Sequence, residues 1–341
     1  MFLCKKENDI FVRNQEGFTD IPGSPIAYWA SPKVREIFSK HKKIGDFTNG
    51  GNGMTTGEND KFLRLWYEVS EYSIGFNKNS HEEARQSGKT WFPYIKGGAY
   101  RKWYGNLEYV VDWKDDGYRI RKYGRPFFRN KNYYFREGLT WSKVTSSLFS
   151  VRYTPPGTLF DVAGISLFTD VDNPKYFIAF LNSKVGTFLV GLLSPTLNFE
   201  SGTIKSLPII KDNETKVISL VDDAISISML DWNSFETSWD FKKHPFLTYR
   251  GEAKTLEECY ANWADYAEKQ FKKLQKNEEE LNRIFIELYG LQDELTPEVP
   301  DEEVTVRRAD RVRDAKSFLS YCIGLMMGRY SLDVEGLAYA G

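Results

Sequence analysis

Fifteen lysines and arginines against five aspartates and glutamates occupy residues 85–152, a local balance near +10 in a 341-residue chain of net charge -1. Charges that dense repel one another unless something anionic neutralises them, and a run of phosphates is the commonest neutraliser. The chemistry on offer is therefore phosphate contact. Its candidates are Arg101, Lys102, Arg119, Arg121, Lys122, Arg125, Arg129, Lys131, Lys143 and Arg152, with Lys205 further along. Arg-Lys and Arg-x-Arg-Lys steps on strands send every second cation to one face. Aromatic residues interleave the cations. Most belong in a core, and one or two of Tyr94, Tyr100, Tyr104 and Tyr123 are expected to stack on sugar or base.

A second group has the chemistry of base readout. Thr196, Asn198, Glu200 and Ser201 lie in a polar stretch, residues 194–207. Asn pairs bidentately with adenine and Ser serves either partner of a base pair, while the same residue types also cap helices and form turns. Arg64 follows a glycine cluster at residues 50–57 and is expected to pair with Glu68 four residues on. The glycine cluster lacks the Gly-Lys-Ser/Thr ending of a P-loop, so it reads as a turn whose amides are also free to meet phosphates.

Catalytic constellations are sparse. His41, His81 and His244 are isolated from one another, and no nucleophile elbow is present. Asp170 or Asp172 with Glu214-Thr215-Lys216 faintly matches the acid-and-lysine pattern of metal-dependent nucleases, but the pattern is short and common and a solvated surface explains it better. Amino-methylating enzymes need a glycine-rich cofactor loop and an Asn/Asp-Pro-Pro-aromatic tetrapeptide beside a flipped base. The one Pro-Pro pair here, in Thr154-Pro155-Pro156-Gly157, has neither acceptor nor aromatic and reads as a turn. No catalytic residue, metal site or cofactor is expected in these residues.

The elements that must carry these groups divide the chain in three. Residues 1–41 read as a lead-in, with a turn-rich strip at 21–25 and a short helix capped by Ser31-Pro32. Residues 42–210 are rich in aromatic residues, Val and Gly as far as 172, mostly β with irregular loops, and then turn helical at Asn173-Pro174. Residues 211–341 show helical stripes through Val217–Ile227 and Leu256–Leu288, an acidic linker at 296–303 and a last helix at 311–327. The expected class is α+β. Residues 212–303 hold 22 acidic and 10 basic residues, so an acidic half faces a basic one and is expected to shield or orient it. Cys4, Cys259 and Cys322 offer no disulfide framework or metal pair. No apolar run approaches membrane-spanning length, and the start has no signal-peptide character, so no membrane association and a cytoplasmic protein are expected.

Several stretches resemble the PglX family of BREX phage-defence adenine methyltransferases. They are IPGSPIAYW (21–29), TTGENDKFLRLWYEV (55–69), WFPYIKGGAYRKWYGNLEYVVDW (91–113), GLTWSKVTSSLFSVRY (138–153) and FLNSKVGTFLVGLLSPTLNFESGTIKSLP (180–208). SWDFKKHPFL (238–247), NEEELNRIFIELYGLQDEL (277–295) and GRYSLDVEGLAYAG (328–341) continue the match in the family's order. The resemblance implies a C-terminal fragment truncated at both ends. Its residues 42–210 would be a DNA target-recognition domain, and 211–341 a helical C-terminal region. Residues 182–208 also resemble the recognition domains of Type I specificity subunits and Type IIG enzymes, in which a mixed β-rich domain reads base edges in the major groove. The implied partners are double-stranded DNA, the methyltransferase domain with its S-adenosylmethionine, and other BREX proteins. The implied task is choosing the site for adenine-N6 methylation. The rival readings are a protein-interaction module that docks defence components or a DNA mimic, and an autonomous metal-dependent nuclease.

Overall fold

The computed structural model describes residues 21–23, 30–123, 126–145, 147–194 and 196–338. Helix α1, Pro32–Lys40, starts as the Ser31-Pro32 step dictates: Ser31 Oγ accepts from the Val34 amide at 3.2 Å, and proline sits in the first turn. Its Val34, Ile37 and Phe38 form one buried face.

Among the described residues ten short strands follow: β1 (Asn49–Gly51), β2 (Met54–Thr55), β3 (Leu63–Leu65), β4 (Trp91–Ile95), β5 (Tyr109–Asp112), β6 (Phe127–Phe128), β7 (Gly138–Ser142), β8 (Val151–Thr154), β9 (Leu159–Phe160) and β10 (Gly164–Phe168). They make two four-stranded sheets, ordered β1-β10-β7-β8 and β3-β5-β4-β9, and a two-stranded ribbon, β2-β6. All pairs are antiparallel except β4 with β9. The register Trp141↔Val151 and Ile165↔Trp141 stacks apolar side chains across three strands. β10 is buried along its whole length, so it sits inside the fold rather than at a solvated edge. Between the strands lie α2 (Asn59–Phe62), α3 (His81–Gln86) and α4 (Lys114–Tyr123).

The apolar stripe after Asn173 is two helices, α5 (Pro174–Asn182) and α6 (Lys184–Leu193), bent by 75°. Ser183 makes the break: its hydroxyl donates to the Phe180 carbonyl at 2.6 Å and accepts from the Gly186 amide at 3.1 Å, closing one helix and capping the next. Within the stretch expected as a loop, Ser201–Lys205 coils into α7. The helical region comprises α8 (Glu214–Asn233), α9 (Pro245–Thr248), α10 (Leu256–Tyr289) and α11 (Arg311–Met326). At 34 residues, α10 is about 50 Å long. A Thr255–Glu258 capping box starts it, and left-handed Gly290 ends it.

One apolar core runs from Ile21 to Val306, so sheets, α5, α6, α8 and the C-terminal half of α10 share an interior. Smaller clusters surround Phe246 and Trp263 and link Phe241, Tyr321 and Tyr330. The acidic stretch 296–303 is packed rather than loose: Val299 and Val304 are buried, and Gln275 Nε2 donates to the Val299 carbonyl at 2.7 Å. Among the described residues no single helix is long and apolar enough to cross a membrane. Cys259 is buried and Cys322 partly so, both unpaired.

Candidate nucleic-acid interface

Helix α4 carries four cations, and its start is unusual. Asp115, Asp116 and Gly117 are all left-handed, with φ of 51°, 57° and 74°. Three such residues in succession are costly for L-amino acids and need outside support. His81 supplies it: Nδ1 lies 2.9 Å from Asp116 Oδ1, and Nε2 lies 3.0 Å from the Lys131 carbonyl. The imidazole thus ties α3, the left-handed turn and the segment after β6 together. From there α4 buries only Gly117 and Ile120, and turns Tyr118, Arg119, Arg121, Lys122 and Tyr123 outward. The expected strand alternation is corrected on this point: a helix, not a strand, presents these cations. Arg119 pairs with Asp112 at 2.7 Å while its side chain stays 60 % exposed. Arg121 donates to the Asp115 carbonyl at 3.2 Å, and Lys122 Nζ sits 4.7 Å from the Tyr118 ring centre.

Three segments, α7, the turn after β6 and β9, converge on the glycine loop between β1 and β2. Lys205 Nζ in α7 donates to the Gly50 carbonyl at 2.8 Å, and Asn130 Nδ2 donates to the Asn52 carbonyl at 2.9 Å. A methyl group on Gly51 would lie 3.2 Å from Ser201 Oγ and 3.7 Å from Asn130 Nδ2; one on Gly53 would overlap the Phe160 carbonyl oxygen. The loop is therefore held on both sides, with backbone approach too close for side chains. Arg129, which precedes Asn130, and Asn198 are both exposed.

The readout candidates stand on a fixed base. Phe199 is buried, its amide donates to the Lys143 carbonyl at 2.7 Å, and its carbonyl accepts from Trp141 Nε1 at 2.8 Å. Ser194 Oγ donates to the Asn198 carbonyl at 2.8 Å. Thr196, Leu197 and Asn198 then project into solvent. Glu200 is drawn back by Lys143 at 2.8 Å, with Asn198 Nδ2 3.4 Å away.

Two methyltransferases match almost all of this chain. One is the adenine-specific methyltransferase PglX of Lacticaseibacillus casei (strain Zhang), 46 % identical over 346 residues that cover 98 % of the chain and 29 % of that protein. The other is the adenine-specific methyltransferase BrxX of Escherichia coli (strain HS), 37 % identical over 348 residues, 96 % of the chain and 27 % of that protein. The chain is homologous to the PglX and BrxX adenine-specific methyltransferases. It spans less than a third of the length of either relative. No protein-family profile matches it.

In this PglX-like chain several of the expected contact residues lie inside the fold. Lys102 is 5 % exposed and paired with Glu278, whose other oxygen accepts from Trp103 Nε1 at 2.7 Å. Arg101 is 12 % exposed and pairs with Asp231 at 3.0 Å. Arg152 is fully buried; Nε and one terminal nitrogen have no partner among the described residues, and burial pushes its guanidinium down to about 10. These three are corrected from phosphate contacts to interior groups. Lys205 and Lys143 keep partial exposure but are committed to Gly50 and Glu200, and burial lowers the Lys205 ammonium. Arg129 and Lys131 remain at the surface, over the Phe127 and Trp113 rings at 5.7 and 5.8 Å. Arg125 lies outside the described residues.

Arg64 does not pair with Glu68. It donates to the Asp60 and Leu63 carbonyls, both at 2.6 Å, while Glu68 accepts from the Leu65 amide at 2.8 Å. Tyr94 and Tyr104 are buried and Tyr100 is half-buried, which leaves Tyr123 as the exposed ring of the four stacking candidates. Asp172 and Glu214 do meet, but around Lys211, which pairs with both. No group of three His, Cys, Asp or Glu residues suited to a metal occurs among the described residues. The sequence reading missed His81, which it treated only as an isolated histidine, and Asn130, whose left-handed position in an Asn-Lys turn was the available signal.

Proposed function

We propose that this chain is the DNA-recognising part of an adenine-specific methyltransferase acting in phage defence. The observation that carries this reading is the surface around the glycine loop. Arg129 is exposed next to Asn130, which with Lys205 ties down the loop backbone, and Asn198 is exposed three residues before Ser201, whose hydroxyl abuts Gly51. Fixed backbone with outward polar side chains is what base readout requires, and flanking cations set register on the phosphates. Arg119, Arg121, Lys122, Arg129 and Lys131 supply the cations, while Thr196 and Asn198 are turned out for base edges, with Glu200 held by Lys143 and Ser201 against the glycine loop.

We assign no methyl-transfer step to these residues. Thr154-Pro155-Pro156-Gly157 forms a turn, with the Thr154 hydroxyl buried and Gly157 left-handed at φ 92°. In the glycine loop a methyl group on Gly53 would overlap the Phe160 carbonyl oxygen, so the loop packs directly on β9. Methyl transfer would belong to a domain of the parent enzyme that holds that cofactor. Fluorescence anisotropy of the purified chain on labelled duplex DNA across a salt series tests the reading. A log–log slope of several units is expected, and no binding at low salt would refute it.

A second reading, protein docking, is favoured by α11, whose Val312, Leu319, Ile323 and Met326 are 63, 63, 56 and 79 % exposed along one side. Capture of defence proteins that survives nuclease digestion and is lost in Leu319→Glu would favour it.

A further inference from the structure

Between α2, β4 and α4 lies a hollow of about 520 Å³, large enough for one nucleotide. Four cations line it: Lys61, Arg64, Arg119 and Lys122. Its single carboxylate, Asp112, is buried and directs the Arg119 guanidinium at 2.7 Å, leaving that exposed fork free for another anion. Duplex phosphates alone would need only these charges. The hollow also holds rings that a duplex cannot use, because its bases are already stacked on one another.

Tyr118 and Tyr123 line the hollow and are 47 and 52 % exposed. Each is covered by a flexible cation: Lys61 Nζ lies 3.5 Å from the Tyr123 ring centre, and Lys122 Nζ lies 4.7 Å from that of Tyr118. Arg64 stands 5.8 Å from the Trp91 ring on the far wall. A phosphate entering the hollow draws the lysine ammoniums away and uncovers the ring faces, so charge and stacking surface become available together. Cations interleaved with free aromatic faces are the signature of unpaired nucleotides.

We infer that this hollow binds a single unstacked nucleotide of locally opened DNA. Tyr118 and Tyr123 hold the base, while Lys61, Arg64, Arg119 and Lys122 hold the flanking phosphates. The inference rests on the DNA-contacting reading above and shares Arg119 and Lys122 with it, but adds the tyrosine rings and a different form of DNA. The test compares an intact duplex with the same duplex carrying one unpaired fluorescent adenine analogue.

The bulged duplex is expected to bind roughly tenfold more tightly, with the analogue's emission quenched by ring stacking. Tyr118→Ala with Tyr123→Ala should abolish that preference and leave intact-duplex affinity unchanged, whereas Tyr123→Phe should keep it. Lys61→Gln with Lys122→Gln, at exposed positions, should also weaken it. Equal affinity for bulged and intact duplexes, or a preference that survives the double tyrosine variant, would overturn the inference while leaving duplex recognition standing. Binding to neither form would end both.

Discussion

Asn198 and His244 show how differently single residues carry consequence. Asn198 is exposed, and its side-chain amide donates to Glu200 at 3.4 Å, a long bond that a base edge would have to displace. Asn198→Ala is expected to change sequence preference across a panel of duplexes by about 1–3 kcal/mol at one position, with little change in non-specific affinity. A uniform loss over all sequences would contradict that role. His244 is buried against Phe246, Phe318 and Tyr321, and its Nδ1 accepts from the Phe246 amide at 3.2 Å. Burial pushes it down from 6.5 to about 4, against the opposing pull of Asp314. Below 6.5 the unfolded chain takes up a proton that the folded one refuses. Stability is therefore complete above pH 6.5 and falls by roughly 3 kcal/mol on descending to pH 4. Urea denaturation at pH 7 and pH 5 should show the drop, and His244→Asn, which can still cap α9, should flatten it. In sequence His244 is only an isolated histidine, and its burial was not legible because its partners Phe318 and Tyr321 arrive from more than seventy residues away.

Helix α4 depends on a turn that only its third residue tolerates easily. A methyl group on Gly117 would meet the Trp113 ring at 2.7 Å, in addition to the left-handed φ. Gly117→Ala is expected to cost roughly 1–3 kcal/mol and to misplace Arg119 and Lys122. Thermal denaturation and DNA affinity should fall together; unchanged affinity would mean that α4 does not touch DNA. Elements with local causes were readable in advance: α1 from Ser31-Pro32, α5 from Asn173-Pro174, and α10 from its long apolar stripe and Gly290. Those set by distant contacts were not. The basic run looked like a strand because its neighbours are aromatic, and it is helical because Ile120 finds a buried site and His81 pins the turn.

For the molecule as a whole, the charge asymmetry visible in sequence is partly spent internally. Arg101 meets Asp231, Lys102 meets Glu278, and Lys184 meets Glu303 at 2.8 Å, so part of the basic half is neutralised by the acidic half. Removing one partner of a buried pair strands the other. Glu278→Ala is expected to cost about 3–5 kcal/mol in urea denaturation, far more than truncating an exposed glutamate. The cations left outside should carry the salt dependence. Replacing Arg119, Arg121 and Lys122 together with Gln should lower affinity for every sequence and reduce the log–log salt slope by about 2–3 units; an unchanged slope would move the phosphate contacts elsewhere. The charge count alone did not separate the two populations, because which cations turn inward depends on α8 and α10 docking over the loop after β4.

The long helix α10 inserts Leu274, Leu281 and Phe285 into the main core, and Trp263 and Ala267 into the cluster around Phe246. Its two ends therefore belong to different interiors with no break between them. A protease cutting near residue 211 would not liberate two soluble halves, since each would expose greasy surface the other had covered. For anyone trimming gene fragments to express residues 42–210 alone, a cut before α8 is not usable, and the main core continues past α10 as far as Val306.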